Sequence, residues 1–236
     1  MPVCPSDLPI DLRTGFDLNI PEGQSKVMKI IEEQKPEIVW KAIVCTPWTS
    51  IQNANDPTKV AAMRRKAMPM VHVCVRVAWY QIQKGRKFVI ENPLTSQLWS
   101  LAELKELMQY EGASANSAAL CTFGLEDAEK PGYYLQKSFR LVHNFPVDCL
   151  TPLFKHCDAS HPHGKVEGRL PGGLPKSAYS QIYRFRFFRA TAKLFAAYLR
   201  NKESFRTQGR SEHRSHYVDT DHVRFIEDIF DMADFS

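Results

Sequence analysis

An α/β fold with mostly parallel strands and flanking helices is the class this sequence predicts, and three observations predict it. A short, nearly continuous apolar run spans Glu37–Val44. A second, Phe88–Ile90, runs into the turn Glu91-Asn92-Pro93. Between them lies a longer stretch whose apolar residues recur at three- and four-residue steps. Strand, helix and strand in that order form the pattern of a parallel pair joined by a crossover helix.

The elements follow in order. Residues 1–20 are rich in Pro and Asp and read as irregular, with a short strand near Ile10–Leu12. Pro21 after Asn19-Ile20 is a helix start. Val27, Ile30, Ile31 and Gln34 continue that helix, and Pro36 ends it. The run Glu37–Val44 suits a strand buried on both faces, with Lys41 as the one misfit. Asp56-Pro57 starts the next helix, carried by Val60, Met63, Ala67, Met70, Cys74, Ala78 and Ile82. Pro69 opposes a helix there, and so does the strand-like alternation of Val71, Val73, Val75 and Val77. The helical period holds over the longer window and is preferred.

Gly85 ends that helix, and Phe88–Pro93 is a strand running into a turn. Trp99, Leu101, Leu104, Leu107 and Met108 mark a further helix, and Ala118–Phe123 reads as a strand. The stretch 126–175 holds Pro, Gly and His with few periodic runs, and reads as a loop-rich insertion. Helical spacing returns over Ala178–Leu199. One domain over 1–200 is expected, followed by a polar tail over 201–236 with a short acidic helix over 222–235.

No apolar run approaches the length of a membrane span, and the first residues lack the basic-then-apolar order of a secretory signal. Six scattered cysteines without a CxxC read as free thiols. The expected location is therefore the nucleus or the cytoplasm. A formal net charge of +5 is compatible with a polyanionic partner and does not require one.

In an open α/β sheet, ligands bind beyond the carboxyl ends of strands. Cys45 and Glu91 each follow such an end, so a thiol and a carboxylate can face one pocket. Read alone, Cys45 is a small buried residue and Glu91 a capping acid. Arg184, Arg186 and Arg189 are interleaved with Tyr183, Phe185, Phe187 and Phe188. They suit phosphates and stacked bases, or the solvated face of a helix whose aromatics fill the core. His156, Cys157, Asp158, His161 and His163 are the densest set of ligand types. Cys157, His161 and His163 offer three zinc ligands, and Cys121 or Cys149 a fourth. No second tight pair is present, so no metal centre is assigned.

The order of these motifs resembles cytosine-C5 DNA methyltransferases, in which a nucleophilic cysteine follows one strand and a Glu-Asn motif the next. It resembles more closely the methyltransferase-like domains of retrotransposon-derived polyproteins. The residues concerned are Ile10-Asp11-Leu12-Arg13-Thr14-Gly15-Phe16-Asp17-Leu18, Cys45-Thr46 with Gln52-Asn53, and Val89-Ile90-Glu91-Asn92-Pro93. The stretches Cys157–His163 and Ser177–Tyr183 also look like that group. The resemblance covers about residues 8–200.

That resemblance implies an incomplete Rossmann-like methyltransferase sheet using S-adenosylmethionine on DNA cytosine. It implies Cys45 as the thiolate adding to C6, Glu91 on the cytosine edge and Asn92 supporting the turn. It implies a base taken out of the stack. It carries Asp11 and Asp17 over as contacts to the ribose and adenine of the cofactor. DNA is the expected partner ahead of RNA, with the remainder of a polyprotein as a second. Val44 stands where the family has a proline, and no GxG cofactor loop occurs in the chain. These departures leave two functions open: a methyltransferase-like enzyme, or a catalytically inactive nucleic-acid-binding fragment.

Overall fold

A computed structural model describes residues 10–146, 148–181, 184–208 and 225–226. It divides into two compact units, one of Met1–Ser117, Ser138–Phe145 and Arg224–Ser236, the other of Ala118–Lys137 and Pro146–Val223.

The first unit is mixed α/β. Helix α1, Pro21–Gln34, begins with Pro at its first position and buries Gly23, Val27 and Ile31. It stops where Lys35 turns left-handed at φ 48°, just before Pro36. Strand β1, Ile38–Ala42, follows. Helix α2, Pro57–Gln83, opens with the Asp56 carboxylate accepting from Thr58 N at 2.7 Å. It then runs through Pro69 without a break.

The valine alternation in α2 has a packing cause. Val71, Cys74, Val75 and Ala78 join one apolar cluster with Phe88 and Ile90, while Val73 and Val77 join a second with Val27, Ile31 and Val39. A helix buried on two sides mimics a strand's pattern over a few residues. Lys41 is accommodated in the same layer. Its side chain is buried, donates to Cys74 O at 3.1 Å and lies 5.1 Å from the Phe88 ring centre. Burial pushes its pKa down to about 7, against a smaller raising influence from Cys74.

Strand β2, Lys87–Pro93, pairs with β1 in parallel, Ala42 opposite Glu91. Helix α3, Ala102–Gln109, buries Leu104 and Leu107. The sheet is not parallel throughout. After β3, Ser114–Ala119, and the short β4, Tyr134–Leu135, comes β5, Ser138–His143, which pairs antiparallel with β2. The strand order is β3-β5-β2-β1, with a last short strand, Phe225–Ile226, parallel to β1 on its other side.

Several expectations are corrected. Ile10–Leu12 is not a strand, because the Asp11 carboxylate takes up Arg13 N and Thr14 N and winds Leu12–Thr14 into a 3-10 turn. The strand expected at Ala118–Phe123 ends at Ala119. Leu120–Phe123 is a 3-10 turn closed by Gly124 at φ 85°, with Thr122 Oγ1 donating to Ala119 O. The stretch 126–175 is not all insertion, since β5 within it is a sheet strand whose Phe139, Leu141 and Val142 are buried. The acidic helix over 222–235 lies outside the described residues except at Phe225–Ile226, which are strand.

The second unit is built mostly of loops. It holds β4 paired in parallel with β6, His163–Gly164, and the single-turn helix α4, Lys176–Tyr179. Its long helix α5, Phe185–Gln208, continues past residue 200 into the stretch read as tail. A buried Lys176 ammonium donates to both Asp127 oxygens at 3.0 Å and pairs with Glu129 at 2.6 Å. Gly164 is required beside that pair: a Cβ there would meet Asp127 Oδ2 at 2.3 Å. Among the described residues, no helix is long and apolar enough to cross a membrane.

Candidate functional site

The connection β1–α2–β2 places the carboxyl ends of two parallel strands side by side. Cys45 lies three residues beyond β1, and Glu91 lies near the end of β2. Both sequence-predicted groups therefore belong to one rim of the first unit. Phe88 and Ile90 face α2, so alternation turns Glu91 and Val89 to the other face. At that end of the sheet Ala42 is exposed, Val44 is 49% exposed and Cys45 is half-buried, whereas Glu91 is buried.

The loop carrying Cys45 is held firmly. Trp48 N donates to Cys45 O at 2.8 Å, closing the turn Thr46–Trp48. Trp48 is buried, Arg64 of α2 lies 5.5 Å from its ring, and Arg64 Nε donates to Pro47 O at 3.0 Å. Gln52 Nε2 donates to Thr46 O at 2.8 Å. Asn92 is fully buried, and its Nδ2 donates to Ile43 O at 2.6 Å. It ties β2 to the strand end that leads into the Cys45 loop.

Asp11 and Asp17 are engaged locally. Asp11 is exposed and forms a capping box with Thr14. Asp17 Oδ1 accepts from Asn19 N at 2.9 Å and Asn19 Nδ2 at 3.1 Å. The backbone of Asp17 also fills the space above Gly23 in the first turn of α1, where a Cβ would meet Asp17 O at 1.9 Å. The one glycine near a helix N-terminus here admits the chain itself.

In the second unit, the three arginines part company. Arg184 is half-buried and donates to Tyr179 Oη, its guanidinium 4.7 Å from the Tyr179 ring; burial lowers its pKa. Arg186 and Arg189 are exposed. At 3.6 residues per turn they share a stripe with exposed Lys193 and Arg200, about 60° wide and about 21 Å long. Phe187, Thr191, Phe195 and Tyr198 form the buried stripe opposite, and no Asp or Glu occurs from Phe185 to Lys202. Phe185, 70% exposed, flanks the basic stripe.

The second unit also gathers Cys121, Cys157, His161 and His163, whose ligand atoms all lie within 4.8 Å of one another. The sequence offered Cys121 and Cys149 equally as a fourth member. The turn after β3 selects Cys121, which is buried. Burial, with the neighbouring Cys157, pushes the Cys121 thiol up to about 11.

No protein-family model, curated protein or solved structure matches this chain.

Proposed function

We propose that this is a methyltransferase-like α/β protein whose β1–β2 rim takes a cytosine base of DNA. Cys45 is the thiol that adds to the ring, and Glu91 is the carboxylate on its edge. The observation that carries this reading is the parallel pair, which brings both groups to one rim. Arg64 and Asn92 hold the loop and the strand that present them. The base must leave its stack to reach such a rim.

S-adenosylmethionine is the methyl donor that the resemblance implies. The chain's residues do not fit a cradle for it. Asp11 and Asp17 each cap a turn, and the space above Gly23 is filled by Asp17. What the rim supports is reversible thiol addition. Cys45 Sγ bonds to C6 as the thiol proton passes to N3 on the cytosine edge, and C5 takes a proton from water. C5 then gives its original proton to water, and the Sγ–C6 bond breaks as the N3 proton returns to sulfur, leaving cytosine with its C5 hydrogen exchanged. Glu91 stabilises the ring while its edge is protonated.

Incubation of the chain with single-stranded and duplex DNA in deuterated water tests this. Exchange at cytosine C5, read by mass spectrometry of the released nucleoside, is expected. It should vanish in Cys45→Ser and fall at least about 100-fold in Glu91→Gln. Absence of exchange with the unaltered chain on either substrate would contradict the reading.

A second reading, a nucleic-acid-binding module without catalysis, is favoured by the basic stripe of α5. Binding that weakens steeply with salt, without exchange, would select it. Either reading fits residence in the nucleus or the cytoplasm.

A further inference from the structure

We propose that Cys121, Cys157, His161 and His163 form a structural zinc site that staples the second unit. The proposal is independent of the rim at Cys45 and Glu91. The four residues come from two stretches of chain, 36 residues apart at their nearest ligands, Cys121 and Cys157. Cys121 sits in the turn Leu120–Phe123, Cys157 and His161 in the loop before β6, and His163 in β6 itself. Bringing a second cysteine and two imidazoles to one buried thiol across that separation is more than a surface loop requires.

Two of the separations match those of a tetrahedral centre, and all four ligand atoms lie within 4.8 Å of one another. Cys157 Sγ lies 3.4 Å from His163 Nε2 and 3.6 Å from His161 Nε2. Zinc bonds of about 2.3 Å to sulfur and about 2.05 Å to nitrogen, at the tetrahedral angle, put S and N about 3.6 Å apart. Both histidines present the same ring nitrogen to the centre. Two thiolates and two imidazoles make a closed set with no position left for substrate. That is the chemistry of a structural zinc rather than a catalytic one.

The surroundings point the same way. Ala159 N donates to Cys157 Sγ at 3.3 Å, which fixes the sulfur in place. Ala159 sits at φ 58°, a left-handed conformation that residues other than glycine rarely adopt. The Tyr134 ring lies 4.5 Å from that of His161. Pairing of Tyr134 with His163 in the β4–β6 ladder fixes the backbone that carries one ligand. The unit these residues hold is built mostly of loops, a setting in which a bound metal adds cross-links that regular elements do not supply.

The test uses the full chain, with zinc ion alone as the probe. Protein purified and reconstituted with zinc should carry one zinc per chain by elemental analysis. Cobalt substitution should give the visible and thiolate charge-transfer bands of a tetrahedral two-sulfur site. Cys157→Ser and His163→Ala should weaken zinc binding at least about 100-fold. Cys149→Ser should bind as the unaltered chain does. The cobalt spectrum of the unaltered chain reports the ligands even where a variant fails to fold. Less than a tenth of an equivalent of zinc after reconstitution would overturn the proposal. So would a Cys121–Cys157 disulfide in place of two metal-reactive thiols, or retention of zinc in a Cys121→Ser, Cys157→Ser double variant.

Discussion

The two units solve the same problem with different chemistry. The first buries a sheet against helices. Its two apolar clusters contain fully buried Phe88, Ile90, Leu98, Leu104 and Leu107, and hydrophobic burial supplies most of its stability. The second has few regular elements, and beside its buried Leu125, Leu135, Leu150, Leu153 and Phe187 it carries polar clusters that can act as staples. One is the Lys176–Asp127–Glu129 group, and the other is the Cys/His cluster. A staple acts at a point, whereas a core acts over an area. Removing one staple should therefore loosen the whole of its unit, while trimming a core should cost in proportion to the atoms removed.

The largest effect on the first unit should come from Phe88→Ala. Phe88 is fully buried at the centre of the larger cluster, and its truncation should cost about 3–5 kcal/mol in denaturant unfolding. A cost under about 1 kcal/mol would break the comparison, because the core would then not be the main support. A somewhat smaller effect sharpens it. Lys41 has a folded pKa of about 7 against an ordinary 10.5, so between these values the unfolded chain binds more protons than the folded one. Stability from this group must rise as pH rises through that window, and fall as pH drops toward neutrality. Lys41→Met should be more stable than the unaltered chain at neutral pH by on the order of a few kcal/mol. It should also lose this part of the pH slope. Urea midpoints at neutral pH and about two pH units higher read both; an unchanged slope in the variant would contradict the assignment.

Much of the first unit was legible in the sequence because periodicity reports burial directly. The β1 and β2 runs, their parallel pairing and the Asp56-Pro57 start of α2 all follow from pattern and from the rule for parallel strands. The misses have local causes. At Ile10–Leu12 a side-chain cap outcompeted extended backbone, and β5 hid among Pro- and Gly-rich flanks that carry no period. The local donors that Asp11 and Asp17 take up could not be chosen from sequence, because a carboxylate suits a turn and a ribose equally well until its donors are known. In the second unit the sequence supplied three ligand types within seven residues, Cys157 to His163. The choice of Cys121 depends on a turn and on long-range pairing that no local pattern encodes.

Hydrogen exchange of the full chain, with and without a zinc chelator, tests the contrast between the two units most directly. The chelated protein should lose backbone protection across Ala118–Lys137 and Pro146–Gln181, while Ile38–Ala42 and Lys87–Pro93 keep theirs. Equal protection with and without chelator, or loss spread evenly over both units, would contradict the claim that the second unit depends on a metal staple that the first does not need.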